Sequence, residues 1–370
     1  MKRHFITILA ATLAIAGCSK VSPGAPNTDE PDLPIKFQAA NYVSSTKAGS
    51  NIEFTGESFM VQAYYTGAAN WATSTLSDVV TYMNGVEVKK SNNVWAPYGK
   101  DYFWPKTGYL TFIGWAPATV TPTFNTSGAT NFMTITPSST LTDIMVSDFA
   151  YDKNVSNASS GVPILFHHIL SKINFKAKFV DTPDADGITH HAAITSLKFL
   201  KILNEGSYII EGDAAVSTAD WNAKWSLGSN YNDLVEDNYK YVNSSEISVG
   251  STISSNFTDD LKTGSVDLIS DAFVFPQTLD NQSKIELTYV IYYCNSSGKV
   301  LDKYEVTSSS PAADRQFQIN TFSNSNGTIT SWEQNKIYTY TIVIDPNSDQ
   351  KITFDPVVED WTEVEAEKEI

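Results

Sequence analysis

The sequence predicts an all-β chain of two β-sandwich domains in series, and three observations carry that expectation. Short runs with alternating apolar residues recur along its whole length. Clusters of Asn, Gly, Asp, Ser and Pro punctuate those runs. Helical periodicity is almost absent. At 370 residues, about 335 of them past the N-terminal signals, the chain is long enough for two units that each bury a core.

The N-terminus comes first because it decides where the mature chain starts. Lys2 and Arg3 precede an apolar run from Phe5 to Ala16, which is the layout of an export signal. As a helix the run would rise about 18 Å, short of the ~20 residues a bilayer span needs. Residues 1–17 are therefore assigned to a removable signal peptide. Residues 18–34, rich in Ser, Pro, Gly, Asn and Asp, form a flexible spacer.

In the first domain, assigned to 35–182, Leu33, Ile35, Phe37 and Ala39 alternate with polar residues, and Pro34 suggests an edge strand. The polar run Ser44 to Asn51 ends it. Phe59, Val61, Ala63 and Tyr65 form the next strand. Val79 to Met83 and Val86 to Val88, joined by Asn84-Gly85, read as a type I′ hairpin. Tyr109 to Ala116, Phe132 to Thr136 and Ile144 to Val146 follow. Phe166, Ile169 and Leu170 have helical spacing for one turn, feeding a strand with Ile173, Phe175, Ala177 and Phe179 on one face.

The turn-rich run Asp181 to Gly187 marks the domain boundary, and the second domain is assigned to 188–370. Ile194 to Ile202 and Tyr208 to Ile210 flank Asn204-Glu205-Gly206, a second hairpin signal. Trp221 and Trp225, four apart, allow one helical turn. Ile285, Leu287, Tyr289, Ile291 and Tyr293 share a strand face, and Val300 to Val306 pairs back across Asn295 to Gly298. Tyr338, Tyr340, Ile342 and Ile344 alternate again, before Ile352-Thr353-Phe354 and Val358-Glu359-Asp360-Trp361.

Charge and residue chemistry then narrow the function. The formal charge is −16; removal of Lys2 and Arg3 with the signal leaves 23 basic residues against 41 acidic ones, or −18. Such a surface disfavours nucleic acid as a partner. His167-His168 and His190-His191 are adjacent pairs, whose members face opposite sides of a strand, so neither pair chelates one metal readily. No phosphate loop, zinc motif or nucleophile elbow is present. No catalytic, cofactor-binding or metal-binding residues are assigned, and the chain is not read as an enzyme. Cys294 reads as a small apolar residue inside a strand.

Several fragments together resemble the fimbrillin family, the lipoprotein subunits of type V pili of Gram-negative anaerobes. They are Pro105 to Pro117 (PKTGYLTFIGWAP), Val162 to Ile173 (VPILFHHILSKI), Phe275-Pro276-Gln277, and the closing Trp332, Tyr338-Thr339-Tyr340, Ile352-Thr353-Phe354 and Val358-Glu359-Asp360-Trp361. Each is weak alone, but they occur in the family's order. Ile15-Ala16-Gly17-Cys18 is similar to a lipobox, in which the cysteine carries lipid chains that anchor the protein. Ala14-Ile15-Ala16 is also an A-x-A site, so ordinary cleavage after Ala16 is the alternative.

The resemblance implies two transthyretin-like sandwiches, lipidation at Cys18, and residence on the outer membrane, at the cell surface or in the fimbrium. It implies other pilus subunits as partners, joined by strand exchange, with no cofactor. A protease removes the first strand of such subunits and a strand from another subunit fills the groove. Leu33, Ile35, Phe37 and Ala39 would be the plug, and Ile352, Phe354, Val358 and Trp361 the donor. Family subunits are typically cut after arginine, yet the only arginines here are Arg3 and Arg315. Lys47 occupies the corresponding loop as the candidate cleavage site, and an uncut subunit would be an anchor. The competing reading is a surface lipoprotein that binds a glycan or host protein without polymerising. It rests on Trp71, Trp95, Tyr98, Tyr102, Phe103 and Trp104, whose rings could stack on sugars; packing inside the fold is the plainer role for them.

Overall fold

The computed structural model describes residues 32–42, 52–74, 77–126, 131–138, 141–180, 186–211, 225–234, 236–243, 247–253, 265–348 and 351–361. Cys18, Lys47, the spacer up to Pro31 and Trp221 lie outside them. Among the described residues the regular structure is strand, apart from a few short helical turns.

The first sheet closes on itself. In order around the ring run Tyr109–Ala116, Ser58–Gly67, Val80–Ser91, Val94–Pro97, Phe37–Asn41, Val162–His168 and Met145–Ser147, and the last pairs back onto Tyr109–Ala116. Ala150–Lys153 continues along that same edge of Tyr109–Ala116. Closure removes the unpaired edges that invite aggregation, and the interior is filled by Phe37, Phe59, Val61, Phe112, Ile164 and Phe166.

Three local expectations are corrected here. Phe37–Asn41 is not an edge strand: it has neighbours on both sides, and Pro34 stands ahead of it in an isolated bridge to Phe103. Asn84-Gly85 does not turn the chain. Val80–Ser91 runs straight through it, with a bulge at which Gly85 takes φ +56° and donates its amide to Gln62 Oε1 at 2.9 Å. The hairpin lies at Asn92-Asn93, both at positive φ, with Ser91 paired to Val94. The helical turn expected at Phe166 is instead the strand Val162–His168, because burial inside the ring selects alternation of Val162, Ile164 and Phe166. A single helical turn sits earlier, at Val155–Ala158, capped by Asn154.

The second unit is a sandwich. One sheet has the order Val266–Val274, Ser171–Phe179, Lys336–Ile344, Ile352–Asp360. The other has Lys240–Val242, Thr189–Leu200, Lys284–Cys294 and Val300–Val306, with Gln316–Gln318 also on Lys284–Cys294. The expected pairing of Val300–Val306 with its predecessor is present. Ile285, Leu287, Tyr289 and Ile291 enter the inter-sheet core beside Tyr338, Tyr340 and Ile342. Cys294 is buried among Val290, Tyr292 and Val300, as a small apolar residue inside a strand would be.

The boundary expected at 181–187 is misplaced. Ser171–Phe179 pairs in parallel with Lys336–Ile344 through eight residues and belongs to the second sandwich. The chain therefore changes unit at Ile169-Leu170, both fully buried. Turn-forming residues mark where a backbone leaves a sheet, and apolar burial decides which core a strand joins.

A third sheet bridges the units. Gly206–Glu211 pairs with Asn131–Ile135, flanked by Trp225–Leu227 and Thr123–Phe124. The hairpin expected around Asn204 to Gly206 is thus replaced by a long-range pairing, and Trp225 belongs to a strand. Tyr208, Ile210 and Phe275 share a core with Tyr64, Trp71 and Ile113 of the first unit.

Candidate strand-exchange site

The two segments singled out for exchange differ in how they are held. Phe37–Asn41 runs parallel to Val162–His168 through five residue pairs. On its other side Phe37 faces Trp95, and Ile52–Glu53 takes over at Ala40 and Asn41. The Phe37 ring meets Phe59 and Phe112 edge-on at centroid distances of 6.0 and 5.8 Å. Gly161 is needed beside it: at φ +127°, an added Cβ would come within 3.2 Å of the Phe37 backbone.

Of the four plug residues, Ile35 (1% exposed), Phe37 (3%) and Ala39 are buried, whereas Leu33 is 47% exposed. Leu33 is therefore not a pocket filler, which corrects its assignment. It sits beyond the ring, where its carbonyl accepts the Trp104 amide at 2.9 Å. Burial of Ile35 and Phe37 contributes roughly 4–6 kcal/mol, an upper figure because unfolded chains already bury some surface.

Ile352–Asp360 pairs antiparallel with Lys336–Ile344 through nine residues and has no second paired strand among the described residues, although the Asn324 side chain donates to the Pro356 carbonyl at 3.2 Å. Pro356, opposite Tyr340, lacks an N–H and is tolerated at such an edge. Ile352 is buried. Phe354 is half-buried, stacked on Phe322 at 3.9 Å. Val358 is 38% exposed, so it fills no pocket in this arrangement. Lys336 binds Asp360 near the strand's end. Trp361 is buried, its indole parallel to the His168 ring at 3.9 Å and to Phe273 at 5.5 Å.

The histidines are held singly. His167 Nε2 lies 3.1 Å from Asp148 Oδ1 and His168 Nδ1 lies 2.8 Å from Asp143 Oδ1. His190 packs edge-on against Tyr293. Among the described residues no three His, Cys, Asp or Glu side chains are grouped to hold a metal. Burial pushes the phenols of Tyr64, Tyr151 and Tyr239 up to about 12, leaving them protonated at neutral pH.

Of the six aromatic residues considered for sugar stacking, Trp71, Trp95 and Trp104 are buried, Tyr102 and Phe103 half-buried. Only Tyr98 is well exposed, at 62%, with Lys89 Nζ 4.0 Å from its ring centroid. These six therefore present no shared flat surface. One site escaped the sequence reading: Glu286 is buried and held by Arg315, by Lys198 at 2.7 Å and by Gln316 at 3.2 Å. The scarcity of arginine was its only signal, and nothing local pairs residue 286 with residue 315.

The arrangement matches known proteins. The crystal structure of a fimbrial protein from Bacteroides vulgatus superposes with a TM-score of 0.58 at 19% identity, covering 88% of this chain and 99% of that one. A fimbrilin from Porphyromonas gingivalis covers 91% and 99%, at 10% identity and a TM-score of 0.36. No curated protein sequence matches. A family model described as fimbrillin-like matches residues 46–361, nearly all of both units, and the chain belongs to the fimbrillin-like family.

Proposed function

We propose that the protein is a fimbrial subunit or pilus anchor, exported as a lipoprotein through Cys18, carried to the outer membrane and cell surface, and joined to other subunits by strand exchange. The observation that carries this reading is the position of Phe37–Asn41. It is the first strand of the described chain, yet it completes a ring whose other members come from later sequence. Taking it out would open a slot walled by Phe59, Phe112, Trp95 and Phe166, with backbone groups of Val162–His168 unpaired. A donor strand would satisfy both demands at once.

The C-terminal segment is the donor on this reading. Ile352-Thr353-Phe354 repeats the Ile-x-Phe spacing of Ile35-Lys36-Phe37, and an edge strand held on one side is the easier to release. Lys47 is the candidate cut. Arg315 is a poor substitute because it is engaged with Glu286. Family membership supports a structural or adhesive role rather than catalysis.

The test is limited digestion of the unlipidated protein with a lysine-specific protease, followed by native and denaturing size analysis. Polymers that resist mild detergent are expected. A cut monomer that keeps its original melting temperature would sink the plug assignment, and resistance of Lys47 to cleavage would favour an uncut anchor or a surface lipoprotein that does not polymerise.

A further inference from the structure

The ends of the first strand and of the C-terminal strand rest on two consecutive residues. Tyr42, directly after Phe37–Asn41, donates its amide to the Phe166 carbonyl at 2.7 Å, and its ring packs on His167 at 4.5 Å. Trp361, directly after Ile352–Asp360, stacks on His168 at 3.9 Å with the planes 5° apart. Its amide donates to Asn335, whose own amide donates to Leu170. Adjacent strand residues project to opposite faces, so His167 and His168 present one ring to each exit.

Both histidines are also tied to the seam of the ring. His167 contacts Asp148 and His168 contacts Asp143, and these aspartates flank Met145–Ser147, the strand that closes the sheet. That strand is short, with three pairs to Val162–His168 and two to Tyr109–Ala116. Backbone bonds at its flanks, Asp148 to Leu165 and Ile169 to Ile144, extend the ladder, and the two His–Asp contacts add a side-chain tie at each end of its register.

We propose that His167 and His168 couple the docking of the first strand to the docking of the C-terminal strand, through the seam they pin. Loss of the Tyr42 contact frees His167 and Asp148 at one end of Met145–Ser147. Loss of the Trp361 contact frees His168 and Asp143 at the other. Each docked strand therefore stabilises the other, and coupling of this kind is reciprocal. A subunit that still carries its first strand would keep its C-terminal strand at home; opening the slot would loosen the strand to be donated. The functional meaning rests on the strand-exchange reading above, but the coupling itself belongs to the single chain.

The experiment is native-state hydrogen exchange on the full chain as a monomer, with Tyr42→Leu and Trp361→Leu, which keep apolar bulk and lose the ring contacts. Tyr42→Leu should raise exchange in Ile352–Asp360 by about threefold or more, and Trp361→Leu should do the same in Phe37–Asn41. Both cross-effects should vanish in a His167→Ala, His168→Ala background. Exchange in Lys284–Cys294, deep in the second sandwich, is the reference. If each substitution accelerates only its own strand, or accelerates the reference strand equally, the coupling is overturned. Polymerisation is not read here, so failure to form polymers with the cross-effects intact would sink the strand-exchange reading alone.

Discussion

Ile35-Lys36-Phe37 and Ile352-Thr353-Phe354 carry the same apolar spacing and meet different fates. The first lies within a closed ring, and Phe37 is almost fully enclosed. The second lies on the outer strand of an open sheet, where Phe354 stacks on Phe322 yet stays half-buried and Val358 faces solvent. Ile352 is buried as Ile35 is, so the difference lies at the second apolar position, where the strand between two neighbours encloses its ring and the strand with one neighbour leaves it partly open. A segment with two neighbours is costly to remove, and one with a single neighbour can leave with most of its sandwich intact.

The contrast is sharpest for Phe37→Ala against Phe354→Ala. Phe37→Ala leaves a cavity between Phe59 and Phe112 and is expected to cost about 3–5 kcal/mol in chemical denaturation. Phe354→Ala, at a half-exposed site, should cost on the order of 1–2 kcal/mol. Equal losses would mean that the C-terminal strand is held as firmly as the first.

Alkaline titration probes the buried phenols, which the two regions carry in different places. The slot around Phe37 is lined by phenylalanine and tryptophan, whereas the strand that holds Ile352–Asp360 carries Tyr338 and Tyr340, both with phenols raised by burial. Tyr239, in the same core, is raised to about 12. The unfolded chain ionises its phenols near 10, before the folded chain can. Stability from these groups is thus complete below pH 10 and is lost as pH rises from there towards the folded values. Near-UV circular dichroism should stay constant up to about pH 10 and decline above it. A decline beginning below pH 9 would show that other groups govern alkaline unfolding.

The smallest effect is expected at Val358. Val358→Ser removes an exposed methyl pair from the edge strand and should change stability by no more than about 0.5 kcal/mol. A loss several times larger would place this side chain in a contact that the cis-docked strand does not have.

The alternation of apolar residues by itself determined that this is a β protein, that Val300–Val306 pairs with Lys284–Cys294, and which faces turn inward along Tyr338 to Ile344. Those are local properties, written in a period of two. The tertiary structure alone decided that Asn84-Gly85 bulges while Asn92-Asn93 turns, that Ser171–Phe179 joins the second core, and that Gly206–Glu211 crosses to Asn131–Ile135. It also decided that Leu33 stays outside and that Glu286 meets Arg315. For the strands, segments compete for one edge and the winning pairing is the one that fits apolar burial across the whole molecule; for Glu286, the buried carboxylate is matched by charge. No local pattern records that competition, because the deciding partner lies tens of residues away or more.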